Sequence, residues 1–176
     1  RTATGSGAIL TALNLDDAPA DLPAAVHDRV LRMTELISGT VDLGSGDVGV
    51  LNYAYALEQL EAAFYAKVIE TPYSGITTDE RTALTAIAKH EAIHRDFFKA
   101  ALTKVAPTQI IPGLNPEFGK INFNDRNSVL TTARTFEDLG VAAYNGAGSL
   151  IKTNDYLLIA GKIVSVEARH AAYIRD

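Results

Sequence analysis

The chain has no cysteine, which removes disulfides, zinc ribbons and thiol catalysis at once. It also has no surplus of positive charge: Lys and Arg number 16 against 21 Asp and Glu, a formal net charge of −5. A protein that grips phosphates needs the opposite balance, which argues against nucleic acid as a partner. No apolar run approaches the ~20 residues a helix needs to cross a bilayer. Strand-like alternation of useful length is missing as well. What remains is an ordinary globular composition, 47% hydrophobic and 21% charged over 176 residues. That is enough chain for one domain with a sizeable core and too little for two comfortable ones.

Four long segments carry helical periodicity with readable ends. The first runs from about Asp47 to Glu70 and stops at Thr71-Pro72-Tyr73-Ser74-Gly75, because Pro and Gly end helices. The second opens at Thr77-Thr78-Asp79-Glu80, where Thr or Asp can cap free N–H groups, and runs to about Val105, ahead of Pro107. The third spans about Asn127 to Ser149 and the fourth about Asn154 to Ile174. Short turns inside each pair predict two antiparallel hairpins. Between the pairs, Ala106 to Asp125 is rich in Pro, Gly and Asn. Its about twenty residues can reach ~60 Å extended, more than the ~35–45 Å length of the helices, so it can climb the full height of a bundle. Leu22 to Ser38 reads as an extra amphipathic helix on the outside. The expected fold is all-α: a four-helix bundle over residues 46–176, two hairpins joined by a long crossover, after an N-terminal extension over 1–45.

Laid side by side, the hairpins repeat one another. Glu58 is followed seven residues later by Tyr65, and Glu137 seven residues later by Tyr144. The second helix then carries Glu91-Ala92-Ile93-His94 and the fourth Glu167-Ala168-Arg169-His170. Each half therefore reads Glu-x6-Tyr, turn, Glu-x-x-His. Residues at i and i+3 share a helix face, so each Glu-x-x-His presents a carboxylate and an imidazole together. Leu84, Ile87, Phe98 and Leu102 flank the first pair at helical spacing, and Ile163, Val164, Ala171 and Ile174 the second, which predicts core-facing positions. Within each hairpin, Glu58 and Glu91/His94, or Glu137 and Glu167/His170, lie equally far from the turn and so at one height. Four buried carboxylates need compensation, and two divalent ions supply four positive charges. Oxygen donors with imidazole suit Fe or Mn. One Glu from each of two helices plus Glu-x-x-His from the other two is the di-iron or di-manganese carboxylate pattern of helix bundles.

The residues that carry this pattern resemble a family. Leu51-Asn52-Tyr53-Ala54-Tyr55-Ala56-Leu57-Glu58-Gln59-Leu60-Glu61-Ala62-Ala63-Phe64-Tyr65 is similar to the first core helix of ferritin-like domain proteins of the bacterial and desiccation-related plant type. Gly140-Val141-Ala142-Ala143-Tyr144 and Val166-Glu167-Ala168-Arg169-His170 resemble the third and fourth. The resemblance covers about Asp47 to Ile174 and fills all six ligand positions of the superfamily: Glu58, Glu91, His94, Glu137, Glu167 and His170. It implies two divalent metal ions, Fe or Mn, as cofactors. O2 or H2O2 would be the reaction partner, in ferroxidase, peroxidase or catalase-like chemistry with no catalytic group beyond the metal centre. Glu91 and Glu167 would bridge or chelate, with Glu58 and Glu137 as terminal carboxylates. Related exported proteins, the missing Met at position 1 and the lack of Cys make an extracytoplasmic location, periplasmic or secreted, the expectation over a cytoplasmic one, with the compartment left open. A homo-oligomer is a further expectation.

Three readings stay open at this level. Positions 58, 61 and 65 share a face; Glu58 is preferred as ligand by its match to Glu137, leaving Glu61 as an outer partner of the ligands or an exposed side chain. Tyr65 and Tyr144 either hydrogen-bond ligand carboxylates across the core or simply pack there. Finally, His90-Glu91-Ala92-Ile93-His94 matches the H-E-x-x-H pattern of zinc metalloproteases, with His90 and His94 on zinc and Glu91 as base, but this leaves half the repeat unexplained. A different class of function, a non-enzymatic stress or envelope scaffold or a metal-sequestering protein, is served by the same bundle.

Overall fold

Each helix begins and ends where the sequence supplies a cap or a breaker. The computed structural model describes residues 42–176; the helix expected over Leu22 to Ser38 lies outside them. Among the described residues there are four helices and no strand: α1 Gly46–Glu70, α2 Thr78–Val105, α3 Arg126–Gly148 and α4 Asn154–Arg175. The ends fall within one residue of those read from the sequence. Thr77 and Glu80 form a reciprocal capping box at the start of α2: Glu80 N–H donates to Thr77 Oγ1 (3.1 Å) and Thr77 N–H to Glu80 Oε2 (2.9 Å). Asp125 caps α3 by accepting from Ser128 N–H (2.6 Å). The α1–α2 turn needs Gly75, whose φ of 77° lies in the left-handed region that side chains disfavour.

α1 packs on α2, α3 on α4, and α1 against α3. Two exposed contacts fix the directions. Arg126 at the start of α3 pairs with Glu80 at the start of α2 (2.6 Å). Asp47 at the start of α1 accepts from the N–H groups of Lys152 (2.8 Å) and Thr153 (3.0 Å), in the α3–α4 turn. The crossover therefore starts at one end of the bundle and finishes at the other.

On the way it lies along α1, which is buried on every side between residues 51 and 62. An extended strap leaves its backbone groups unpaired, and buried ones must find partners. Asn52 and Gln59, two turns apart on α1, provide them. The Asn52 side chain donates to Gln109 C=O (2.8 Å) and Leu43 C=O (3.0 Å) and accepts from Ile111 N–H (3.1 Å). Gln59 accepts from Leu114 N–H (2.8 Å). Higher up, Phe118 and Phe123 of the strap pack against the Phe64 ring at 6.0 and 5.8 Å. Asn52→Leu keeps the volume but strips three backbone groups of their partner. It should lower stability by about 3 kcal/mol, a fall in Tm of roughly 6–12 °C, read by thermal unfolding; a fall under ~1 kcal/mol would show that the strap is held elsewhere.

Candidate metal centre

The mid-height layer of the bundle is polar. Glu58 of α1, Glu91 and His94 of α2, Glu137 of α3, and Glu167 and His170 of α4 all turn inward, the carboxylates no more than 1% exposed. Helical spacing explains the placement: Leu84, Ile87, Phe98 and Leu102 are buried on the same stripe of α2 as Glu91 and His94, as are Ile163 and Ala171 on α4.

The arrangement has two matching halves. Around His94 Nδ1 lie Glu167 Oε1 (2.9 Å), Glu91 Oε2 (3.4 Å) and Glu58 Oε2 (3.5 Å). Around His170 Nδ1 lie Glu91 Oε1 (2.8 Å), Glu137 Oε2 (3.5 Å) and Glu167 Oε2 (3.7 Å). Glu91 and Glu167 thus give one oxygen to each half, while Glu58 and Glu137 each serve one. The ligand-type atoms of each half lie within 4.8 Å of one another. Neither Nδ1 nor any of these carboxylate oxygens makes a hydrogen bond of acceptable geometry. Native cores leave only a few such groups unsatisfied, scattered through the fold, and here eight converge. Donor atoms that gather round a shared point without bonding to one another fit a cation at that point.

Electrostatics points the same way. Burial pushes the Glu58 carboxyl up to about 8, and Glu137 to about 7. Burial alone would pull both imidazoles down, but the surrounding carboxylates outweigh it, raising His94 to about 12 and His170 to about 11. Against the upward pull of burial, His170 and His94 hold Glu91 down at about 2. Without ions, then, the layer is neutralised by protons.

Two tyrosines fix the outer carboxylates reciprocally. Tyr65 of α1 donates to Glu137 Oε1 of α3 at 2.5 Å, and Tyr144 of α3 donates to Glu58 Oε1 of α1. Holding Oε1 leaves Oε2 of each carboxylate turned to the centre, so the repeated Glu-x6-Tyr spacing is a pair of cross-bundle braces. Glu61 is buried too, at 2% exposure. It belongs to neither four-residue half, and neither does His90. His90 is exposed and stacks on His170 with ring centroids 5.1 Å apart, its Nδ1 2.9 Å from His170 Nε2. His94 is thus a member of one half while His90 only contacts His170 of the other, so the two do not converge on one ion as an H-E-x-x-H zinc site would require.

An apolar cavity of about 50 Å³ adjoins the layer, walled by Leu51, Ala54, Leu57, Phe98 and Tyr144 among others. Tyr144, whose hydroxyl braces Glu58, is one of its lining residues. Walls without polar partners do not hold water.

Among the described residues no helix is long and apolar enough to cross a membrane. The sequence profile of the ferritin-like domain family matches residues 46–176. No curated protein and no solved structure matches the chain.

Proposed function

This chain belongs to the ferritin-like domain family, and from that premise we propose that its polar layer holds two divalent ions, Fe or Mn, that react with O2 or H2O2. The observation that carries the reading is the set of buried, unbonded donor atoms in two overlapping groups, Glu58/Glu91/His94/Glu167 and Glu91/Glu137/Glu167/His170. Bound there, such an ion pair would supply electrons to an oxygen species. Glu91 and Glu167, which belong to both groups, would be shared between the ions, Glu58 and Glu137 would each serve one, and His94 and His170 would give each one imidazole. Tyr144 and Tyr65 keep Glu58 and Glu137 aimed inward. The apolar cavity lined by Tyr144 suits an apolar molecule better than a hydrogen-bonding one, which favours O2 over H2O2 as the reactant on the Glu58 side.

Elemental analysis tests the first half of this reading. The chain loaded anaerobically with Fe2+ or Mn2+ and desalted should retain two ions, and the Fe2+ form should consume O2 on exposure to air. Two ions without turnover would replace the redox role with sequestration. A chain that retains no metal after either loading would leave a helical scaffold and end the reading.

A further inference from the structure

The repeat that builds the layer is broken at one inward-facing position. Glu58, Glu61 and Tyr65 of α1 correspond in spacing to Glu137, Gly140 and Tyr144 of α3, so Glu61 has no carboxylate opposite it, only a glycine. The two positions fit together physically. A Cβ built on Gly140 would have Glu61 Oε1 at 3.4 Å, Glu167 Oε2 at 3.8 Å and Glu61 Oε2 at 4.0 Å as its nearest neighbours. A side chain at 140 would thus begin in direct contact with the Glu61 carboxylate. Glu61 Oε1 is buried there without a hydrogen-bond partner, a state that is expensive for a carboxylate unless a cation or proton joins it.

Its surroundings say which half it serves. Glu167 Oε2, beside the same point, is the oxygen that faces His170 rather than His94. A second break in the repeat falls on the same side. His90, which supports His170 Nε2, corresponds to Val166 on α4, so the repeat supplies His94 with no such outer imidazole. A ring nitrogen held from behind fixes the orientation of the other nitrogen toward the site.

We infer that the two ion positions are unequal: Glu61 is a seventh donor, held beside the Glu137–His170 position, and that position loads first. The inference rests on the dinuclear reading above and adds the order of filling. One carboxylate more and one better-oriented imidazole both raise cation affinity on that side, while the Glu58–His94 side keeps the unadorned set.

Co2+ is a suitable probe, because it binds the same O/N donors without reacting with the solvent. Titration of the metal-free chain by calorimetry should show two steps, at least ~10-fold apart in affinity. Glu61→Gln preserves size and removes the charge; it should weaken the first step by ~10–100-fold, the scale on which supporting groups tune metal sites, and leave the second nearly unchanged, so that the steps merge. His90→Ala should also weaken the first step. Equal weakening of both steps by Glu61→Gln, or no change in either, would overturn the inference, as would a single step of two equal sites in the unaltered chain. Absence of any Co2+ uptake by the unaltered chain would instead sink the dinuclear reading itself. Matching helical circular dichroism of the metal-free variants guards against simple misfolding, and Glu61→Asp, which restores the charge on a shorter arm, should recover part of the first step in any background that folds.

Discussion

On the dinuclear reading proposed above, Glu91→Gln should cost the protein both ions, whereas Glu58→Gln should cost it one. The contrast follows from which oxygens face which half. Glu91 Oε2 lies 3.4 Å from His94 Nδ1 and Oε1 lies 2.8 Å from His170 Nδ1, so this carboxylate is shared, while Glu58 approaches only the His94 side. Loss of a shared donor should lower the affinity of both sites by at least ~100-fold, beyond the ~10–100-fold range of groups that merely support a ligand. Equilibrium dialysis with Mn2+ reads this directly. The metal-free protein should suffer too. In it Glu91 is the ionised partner of two protonated imidazoles, and removing one member of a buried ion pair costs about 3–5 kcal/mol. Glu58, kept neutral by burial, has no such charge to withdraw, so Glu58→Gln should melt close to the unaltered metal-free chain. If Glu91→Gln and Glu58→Gln lose the same number of ions, the sharing is wrong.

The parts of this site that were legible in the sequence are those that helical periodicity encodes. A Glu-x-x-His step on an otherwise apolar stripe must face the core, and equal distances from the turn set equal heights. Two Glu-x6-Tyr steps could be aligned for the same reason. What stayed hidden depends on rotamers and on neighbours remote in the chain. The crossed pairing of Tyr65 with Glu137 and Tyr144 with Glu58 needs the α1–α3 contact, which no local pattern reports. α1 is buried all round over residues 51–62, so it has no polar face against which to judge Glu61, and an exposed reading was as consistent with the string as a buried one. Asn52 and Gln59 were silent because their partners are backbone groups of a strap about fifty to sixty residues away. Gly140 was silent because its contribution is a space. His90 completes a zinc motif in the sequence, yet its contact is with His170, eighty positions on.

Metal removal should invert the pH dependence of stability. In the metal-free fold, Glu58 and Glu137 keep their protons to about pH 8 and 7, while the unfolded chain releases them near 4.5. Across that window the native state binds more protons than the unfolded state, so stability falls as pH rises. His94 and His170, raised from 6.5 to about 12 and 11, act with the same sign: their contribution is whole below 6.5 and is lost as pH climbs through their folded values. Glu91, depressed from 4.5 to about 2, works the other way, its contribution present above 4.5 and lost as pH falls toward 2. The metal-free protein should therefore be most stable at about pH 4–5 and weaken toward neutrality by ~1.4 kcal/mol per pH unit for each proton the native state holds in excess. Ions reverse the slope, because they bind deprotonated carboxylates and neutral imidazoles and must displace those protons. Their stabilisation grows with affinity, hence with pH. Thermal unfolding from pH 4 to 8, in EDTA and in excess Mn2+, should give two curves that diverge upward in pH, falling in the first and rising in the second. Parallel curves would mean that protons and metal do not compete for the same oxygens, and that the buried layer is held neutral by something other than the ions assigned to it.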